Sequence, residues 1–368
     1  MSGVARQVAP FVRRQRRTFD SLASVPLASY RLVAAWDRYG DLSRRSDRKR
    51  YPDADDVAIV TVEERFRIRG VDRDQSLEDL FLTFIKVGGR WLVANDSDVA
   101  GIGFRSARHL WDFGSLHLER GNRFVALGHD CGNTGAFCGT RAQQILAAAE
   151  RALDEVNTYW RGAAGLKVGI FVPSTPEELR RLIQATFDVE EFVAFAYFTL
   201  DPNDDYRFTG NRMIFNFASL ASRSSADIYR ILVHELTHIA TRAHAGLFVP
   251  VFVDEGIAEY VSQANDPSRV ALLESQVAAG GFDGRLPKDY EFLTGSSASI
   301  YQSYQESHSA VRYFVERWGF DDFVRFYRTL GRRTIAPGTT EYHLNRALRT
   351  SIGIGFRAFE QAWADSIG

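Results

Sequence analysis

His234-Glu235-Leu236-Thr237-His238 lies inside a run whose apolar residues, Ile228, Ile231, Leu232, Leu236, Ile239, Ala240 and Ala243, recur at helical spacing. On a helix, residues four apart project from nearly the same side. Two imidazoles at that spacing can hold one metal ion, and the glutamate beside them can handle the proton of a water molecule. The helix is expected to start near Ser224-Ser225-Ala226-Asp227, where an acid follows a hydroxyl three residues on, and to end near Gly246. The histidines therefore fall mid-helix among buried positions. Half-buried imidazoles need partners, and a metal ion is one.

A second amphipathic helix follows at Asp254-Glu255-Gly256-Ile257-Ala258-Glu259-Tyr260, with Phe252, Val253, Ile257, Tyr260 and Val261 apolar. Glu255 and Glu259 are four apart, hence on one side. Acids on the inner side of an apolar helix are costly to bury without partners. A zinc ion and its imidazoles would pair both, with Glu255 as the third ligand and Glu259 accepting from the outer N–H of a histidine.

His234-Glu235-Leu236-Thr237-His238 followed by Val253-Asp254-Glu255-Gly256-Ile257-Ala258-Glu259-Tyr260 resembles the gluzincin metallopeptidases, the peptidase MA-like group related to aminopeptidase N and thermolysin. The resemblance covers about residues 140–368. It implies an α+β zincin-like domain with a mixed sheet, an active-site helix and a C-terminal helical part, Zn2+ held by His234, His238 and Glu255, Glu235 as general base, and a peptide or protein substrate. Sixteen residues separate His238 from Glu255, slightly fewer than in the best-known relatives, which shortens the connecting loop. Metzincins are disfavoured, because His244 follows without the glycine of their longer motif. Related aminopeptidases place a tyrosine at the start of a later helix to assist the transition state. Tyr304 matches best, with His308 and Tyr301 as alternatives, although Glu306-Ser307 stand where Lys-Gly usually follows. No Gly-x-Met-Glu-Asn signature precedes the motif, so endopeptidase activity is favoured. The reading from another class is a zinc-containing, non-catalytic peptidase-like scaffold or binding module.

Upstream, residues 106–368 form the expected metallopeptidase domain and residues 1–105 a small α+β domain. Residues 57–69 alternate as a strand, 80–87 form a second, and 90–94 a third, with Gly88-Gly89 marking a hairpin. The first 50 residues read as helical, including Ser21 to Tyr39 interrupted by Pro26. This arrangement, with its ending Gly88-Gly89-Arg90-Trp91-Leu92-Val93, resembles the nuclear transport factor 2-like cone. A protein partner or substrate is its expected ligand. Further on, Arg141 to Trp160 reads as a helix, 166–172 as a buried strand, and Ser174-Thr175-Pro176-Glu177-Glu178 as a helix start. Phe192–Thr199 and Arg212–Phe217 read as strands of a mainly antiparallel sheet.

The bulk numbers set the class. The 368 residues are 45% hydrophobic and 25% charged, as in a globular protein with a sizeable core. A net charge of −1 supplies no global field toward nucleic acid. No run of about 18 apolar residues occurs to span a membrane. Arg13-Arg14-Gln15-Arg16-Arg17 interrupts the N-terminus where an export signal would be apolar, so an exported or cell-surface form would arise by processing of a longer chain. That localisation is favoured over a cytoplasmic one. Cys131 and Cys138, in a glycine-rich loop, read as a short-loop disulfide, with two free thiols as the alternative.

Overall fold

The computed structural model describes residues 3–129, 139–186, 189, 192–201, 207–216, 220, 223–246, 249–263, 268, 271, 275, 279, 282–332 and 338–367. Cys131 and Cys138 lie outside these residues. The chain divides into two compact units, residues 1–147 with 167–223, and residues 148–166 with 224–368. The boundary expected near residue 105 falls between two sheets inside the first unit.

In the first unit, α1 (Gly3–Leu22) precedes a four-stranded antiparallel sheet of β1 (Leu27–Ala34), β2 (Asp56–Ile68), β3 (Ser76–Val87) and β4 (Arg90–Asn95), in that order. Two short helices, α2 (Trp36–Tyr39) and α3 (Arg45–Arg50), connect β1 to β2. The hairpin at Gly88-Gly89 has φ of 55° and 80°. Two successive left-handed residues match the twist of the flanking strands, and glycine adopts them without strain. The helical reading of Ser21 to Tyr39 is corrected here. Helix α1 stops before Pro26, and residues 27–34 pair with β2 in register Tyr30↔Phe66 and Val33↔Glu63. Their backbone groups find partners along β2, and this tertiary pairing outweighs the weak local helical pattern.

The second sheet runs β5-β6-β7-β9-β8, from β5 (Leu116–Arg120), β6 (Phe124–His129), β7 (Val168–Val172), β8 (Ala194–Asp201) and β9 (Arg207–Phe215). It is mixed rather than mainly antiparallel. β6–β7 and β7–β9 are parallel, while β5–β6 and β8–β9 are antiparallel. Parallel neighbours need a long crossover. Helix α4 (Gly139–Tyr159) lies between β6 and β7 in the chain, and α5 (Pro176–Leu182) follows β7. Thr175 caps α5 by accepting from the Glu178 N–H, and Pro176 begins it, as the sequence predicts. The unit's main core collects Ile68, Leu110, Trp111, Leu127, Leu179 and Ile214. Within it, the Arg212 guanidinium donates to both carboxylate oxygens of Asp72 at 2.6 and 2.7 Å. Both side chains are buried, so each is tolerated only because the other is present.

A second buried ionic pair is pH-sensitive. His109 Nε2 lies 2.6 Å from Glu64 Oε2, and the Tyr30 hydroxyl donates to Glu64 Oε1. The imidazole stacks on Trp111 at 4.3 Å between ring centres. Burial would lower the pKa of His109, but the carboxylates of Glu64, Asp112 and Glu78 outweigh it and raise the group to about 9. An unfolded histidine titrates near 6.5. The pair's contribution is therefore fully present below about pH 6.5 and is lost as pH rises through about 9. Denaturant unfolding of the chain between pH 6 and 10 should show that fall, and His109→Gln should flatten it. An equal fall in both proteins would sink the assignment.

The second unit is helical: α6 (Ser225–Thr241), α7 (Val251–Gln263), α8 (Ser297–Trp318), α9 (Phe320–Leu330), α10 (Thr340–Ile352) and α11 (Phe356–Ile367). Its core is aromatic, with Phe314 packed within 6 Å of Phe323, Phe326 and Phe359. Helix α8 starts at Ser297, capped by Ser296, so Tyr304 lies two turns inside the helix rather than at its opening. Seven further residues at the start lengthen this helix because Ser296 accepts from the Ser299 N–H and nothing from 297 to 303 breaks it.

Candidate metal centre

Helix α6 carries the motif. Ser224 Oγ accepts from the Asp227 N–H at 3.1 Å and satisfies one of the unpaired donors at the helix start. No glycine or proline interrupts residues 225–241. Ile228, Leu232, Val233, Leu236 and Ile239 are buried, which fixes the helix's rotation and turns His234 and His238 toward α7.

Helix α7 brings the carboxylates. Phe252, Val253, Ile257, Ala258 and Val261 are its buried apolar positions. Gly256 is required by proximity rather than by φ. A β-carbon there would stand 2.6 Å from the Ser307 carbonyl oxygen and 2.7 Å from Val311 Cγ2, both on α8. The two helix backbones thus touch beside Glu255.

Three ligand-type atoms converge. His234 Nε2 and His238 Nε2 are 3.1 Å apart, and Glu255 Oε2 is 3.2 and 3.3 Å from them. Among the described residues, these three form the group whose donor atoms could close around one cation. A tetrahedral zinc site with bonds of about 2.0 Å has ligand–ligand edges of about 3.3 Å, so the triangle fits. The outer nitrogens face further acids. His234 Nδ1 lies 3.1 Å from Glu259 Oε1, and His238 Nδ1 lies 3.4 Å from Asp254 Oδ2. Each imidazole therefore has its Nε2 turned inward and its Nδ1 toward a carboxylate, the orientation of metal-ligating histidines.

Electrostatics point the same way. Burial would depress both imidazoles, yet Glu255 and Glu259 raise His234 to about 10. Glu255 and Asp254 likewise hold His238 well above its usual value. Burial would raise Glu255, but the two histidines hold it far below the usual carboxylate range. Three carboxylates around two imidazoles make a pocket that favours added positive charge, as protons or as a cation.

Glu235 is buried at 7% exposure on the motif helix. Its carboxylate bears on Tyr304, whose hydroxyl is held well above its ordinary pKa by burial and by Glu255, Glu235 and Glu259. Tyr304 thus stays protonated and can donate. Its ring lies 6.5 Å from that of His234 and packs on Phe292 at 5.3 Å. His308, one turn further along α8, is buried with its ring 6.4 Å from Tyr260. Tyr301 is exposed at 36%. His244 sits in a 3-10 turn after α6 with its ring 5.9 Å from Trp160.

Two participants escape sequence reasoning. Asp254 approaches His238, and its Oδ1 accepts from the Tyr327 hydroxyl at 2.7 Å. Tyr327 is fully buried on α9. Asp254 adjoins Glu255, so a helix drawn from Val251 would have placed it on the histidine side. Nothing local marks Tyr327, which lies 73 residues away among other aromatics.

Residues 217–368 match the Peptidase MA superfamily. The match takes in α6 to α11 and every residue of the converging group. No curated protein matches the chain. With this match, peptidase activity is the function class the domain suggests, and a peptide or protein is the substrate it implies. Among the described residues, no helix is long and apolar enough to cross a membrane.

Proposed function

We propose that the chain is a zinc-dependent peptidase of the gluzincin type. The observation that carries the reading is the triangle of His234, His238 and Glu255 inside a ring of acids, with Glu235 on the same helix. His234, His238 and Glu255 would hold the ion, and Glu259 and Asp254 would orient the imidazoles. Bound zinc supplies Lewis acidity toward a water and a carbonyl oxygen. Glu235 takes the proton of the attacking water and passes it to the leaving amine. Tyr304, kept protonated by its surroundings, donates to the developing oxyanion. His308 is the other candidate donor, although its ring lies against Tyr260 of α7, 6.4 Å between ring centres. Endopeptidase action is the favoured mode. The four-stranded sheet of residues 27–95, read as a nuclear transport factor 2-like cone, would bind a partner or substrate.

The test is elemental analysis together with cleavage of a diverse peptide library on one sample. About one zinc per chain and chelator-sensitive cleavage are expected. Zinc without any cleavage would favour the non-catalytic scaffold, and no zinc would remove both readings.

A further inference from the structure

We propose that an arginine-lined groove in the first unit binds an acidic stretch of polypeptide. The groove has a volume of about 540 Å³ and is lined by Arg14 and Arg17 of α1, Arg105 and Arg108 of the loop after β4, and Arg180 and Arg181 of α5. Asp96 and Asp112 are the only acids in that lining. Six guanidiniums against two carboxylates make a strongly positive concavity on a chain whose net charge is −1. Low-dielectric walls focus such a field.

The arginines fall into two groups. Some are held in place. Asp96, 3% exposed, pairs with Arg14 at 2.8 Å and with Arg108 at 2.9 Å, and Glu177 pairs with Arg180 and Arg181. Others are uncommitted. Arg17 and Arg105 are exposed and have no carboxylate partner among the described residues. Fixed guanidiniums lower the ordering cost of binding, and the uncommitted ones supply forks for incoming oxyanions.

The rest of the lining selects the class of ligand. Gln15, Gln184 and Ser97 offer neutral partners for a peptide backbone. Phe113 is the one aromatic residue in the lining, so successive nucleobases would find no stacking platform. Clustered arginines with backbone-compatible neighbours are how acidic motifs are read.

The full chain is titrated, at low salt, against fluorescein-labelled hexaglutamate, hexaglutamine and hexathymidylate, with anisotropy as readout. Hexaglutamate should bind, hexaglutamine should not, and added salt should weaken the complex. Arg17→Glu with Arg105→Glu should weaken it at least about tenfold, and Arg17→Gln with Arg105→Gln by less. Both positions are exposed, so thermal unfolding should not change, and the glutamine pair tests the idea if the glutamate pair folds poorly. Absence of hexaglutamate binding, equal binding by the variants, or tighter binding of hexathymidylate would each overturn the proposal.

Discussion

Glu235→Gln is expected to keep zinc and lose turnover by about 10²- to 10⁴-fold, the range for removal of a general base. Glu235 and Glu255 would separate cleanly under mutation. Glu255 supplies one corner of the triangle, so Glu255→Gln should lose metal as well as activity. Glu235 lies outside that triangle and is 7% exposed. Glutamine fills the same volume without a carboxylate, so the packing of α6 is preserved while the proton acceptor is gone. Zinc content by elemental analysis and cleavage rate on the same preparation decide the matter. Wild-type turnover in the variant would show that Glu235 is not the base, and loss of zinc would show that it supports the metal instead.

What the sequence made legible follows a physical rule. Ligands on a helix obey its period, so His234 with His238 and Glu255 with Glu259 could be placed on common faces from spacing alone. The Nε2 atoms of His234 and His238 lie 3.1 Å apart, Glu255 Oε2 lies 3.2 and 3.3 Å from them, and Glu259 Oε1 lies 3.1 Å from His234 Nδ1. The Gly88-Gly89 hairpin was legible for a similar reason, since its chemistry is local. Interactions that depend on distant chain segments were not. Strand β1 hides behind a helix-like apolar spacing, because only β2 reveals it as a strand. The parallel pairs of β7 with β6 and β9 depend on how connections cross, which no local residue reports. The buried pair of His109 is of that kind, since its partner Glu64 lies 45 residues away in the chain and 2.6 Å away in the fold. Tyr327 and its bond to Asp254 belong to the same class. Local period finds the side chains that share a helix face, and tertiary packing supplies distant partners such as Tyr327.

Gly256→Ala should destabilise the second unit and loosen the metal together, even though the substitution favours a helix in isolation. Alanine is better than glycine by about 1 kcal/mol in a helix interior. Against that stands a β-carbon 2.6 Å from the Ser307 carbonyl oxygen and 2.7 Å from Val311 Cγ2. The valine methyl can rotate aside, but the carbonyl is fixed in the hydrogen-bonded ladder of α8, so α7 and α8 must separate. Overpacking of this kind costs about 1–3 kcal/mol or more, and the clash is with backbone, so the penalty wins. A net loss of 1 kcal/mol corresponds to a fall in Tm of about 2–4 °C for a unit of this size. The functional effect should be larger than the structural one. Glu255 adjoins Gly256, and a shift of about 1 Å at a positioned group can cost about 100-fold. Chelator competition for zinc, beside thermal unfolding of metal-free and metal-loaded protein, reads both effects. An unchanged Tm with unchanged zinc affinity would show that α7 and α8 are not packed as closely as the carbonyl contact requires. A lower Tm with wild-type affinity would show that the triangle tolerates helix displacement, and that Glu255 is held by its histidine partners rather than by the backbone beneath it.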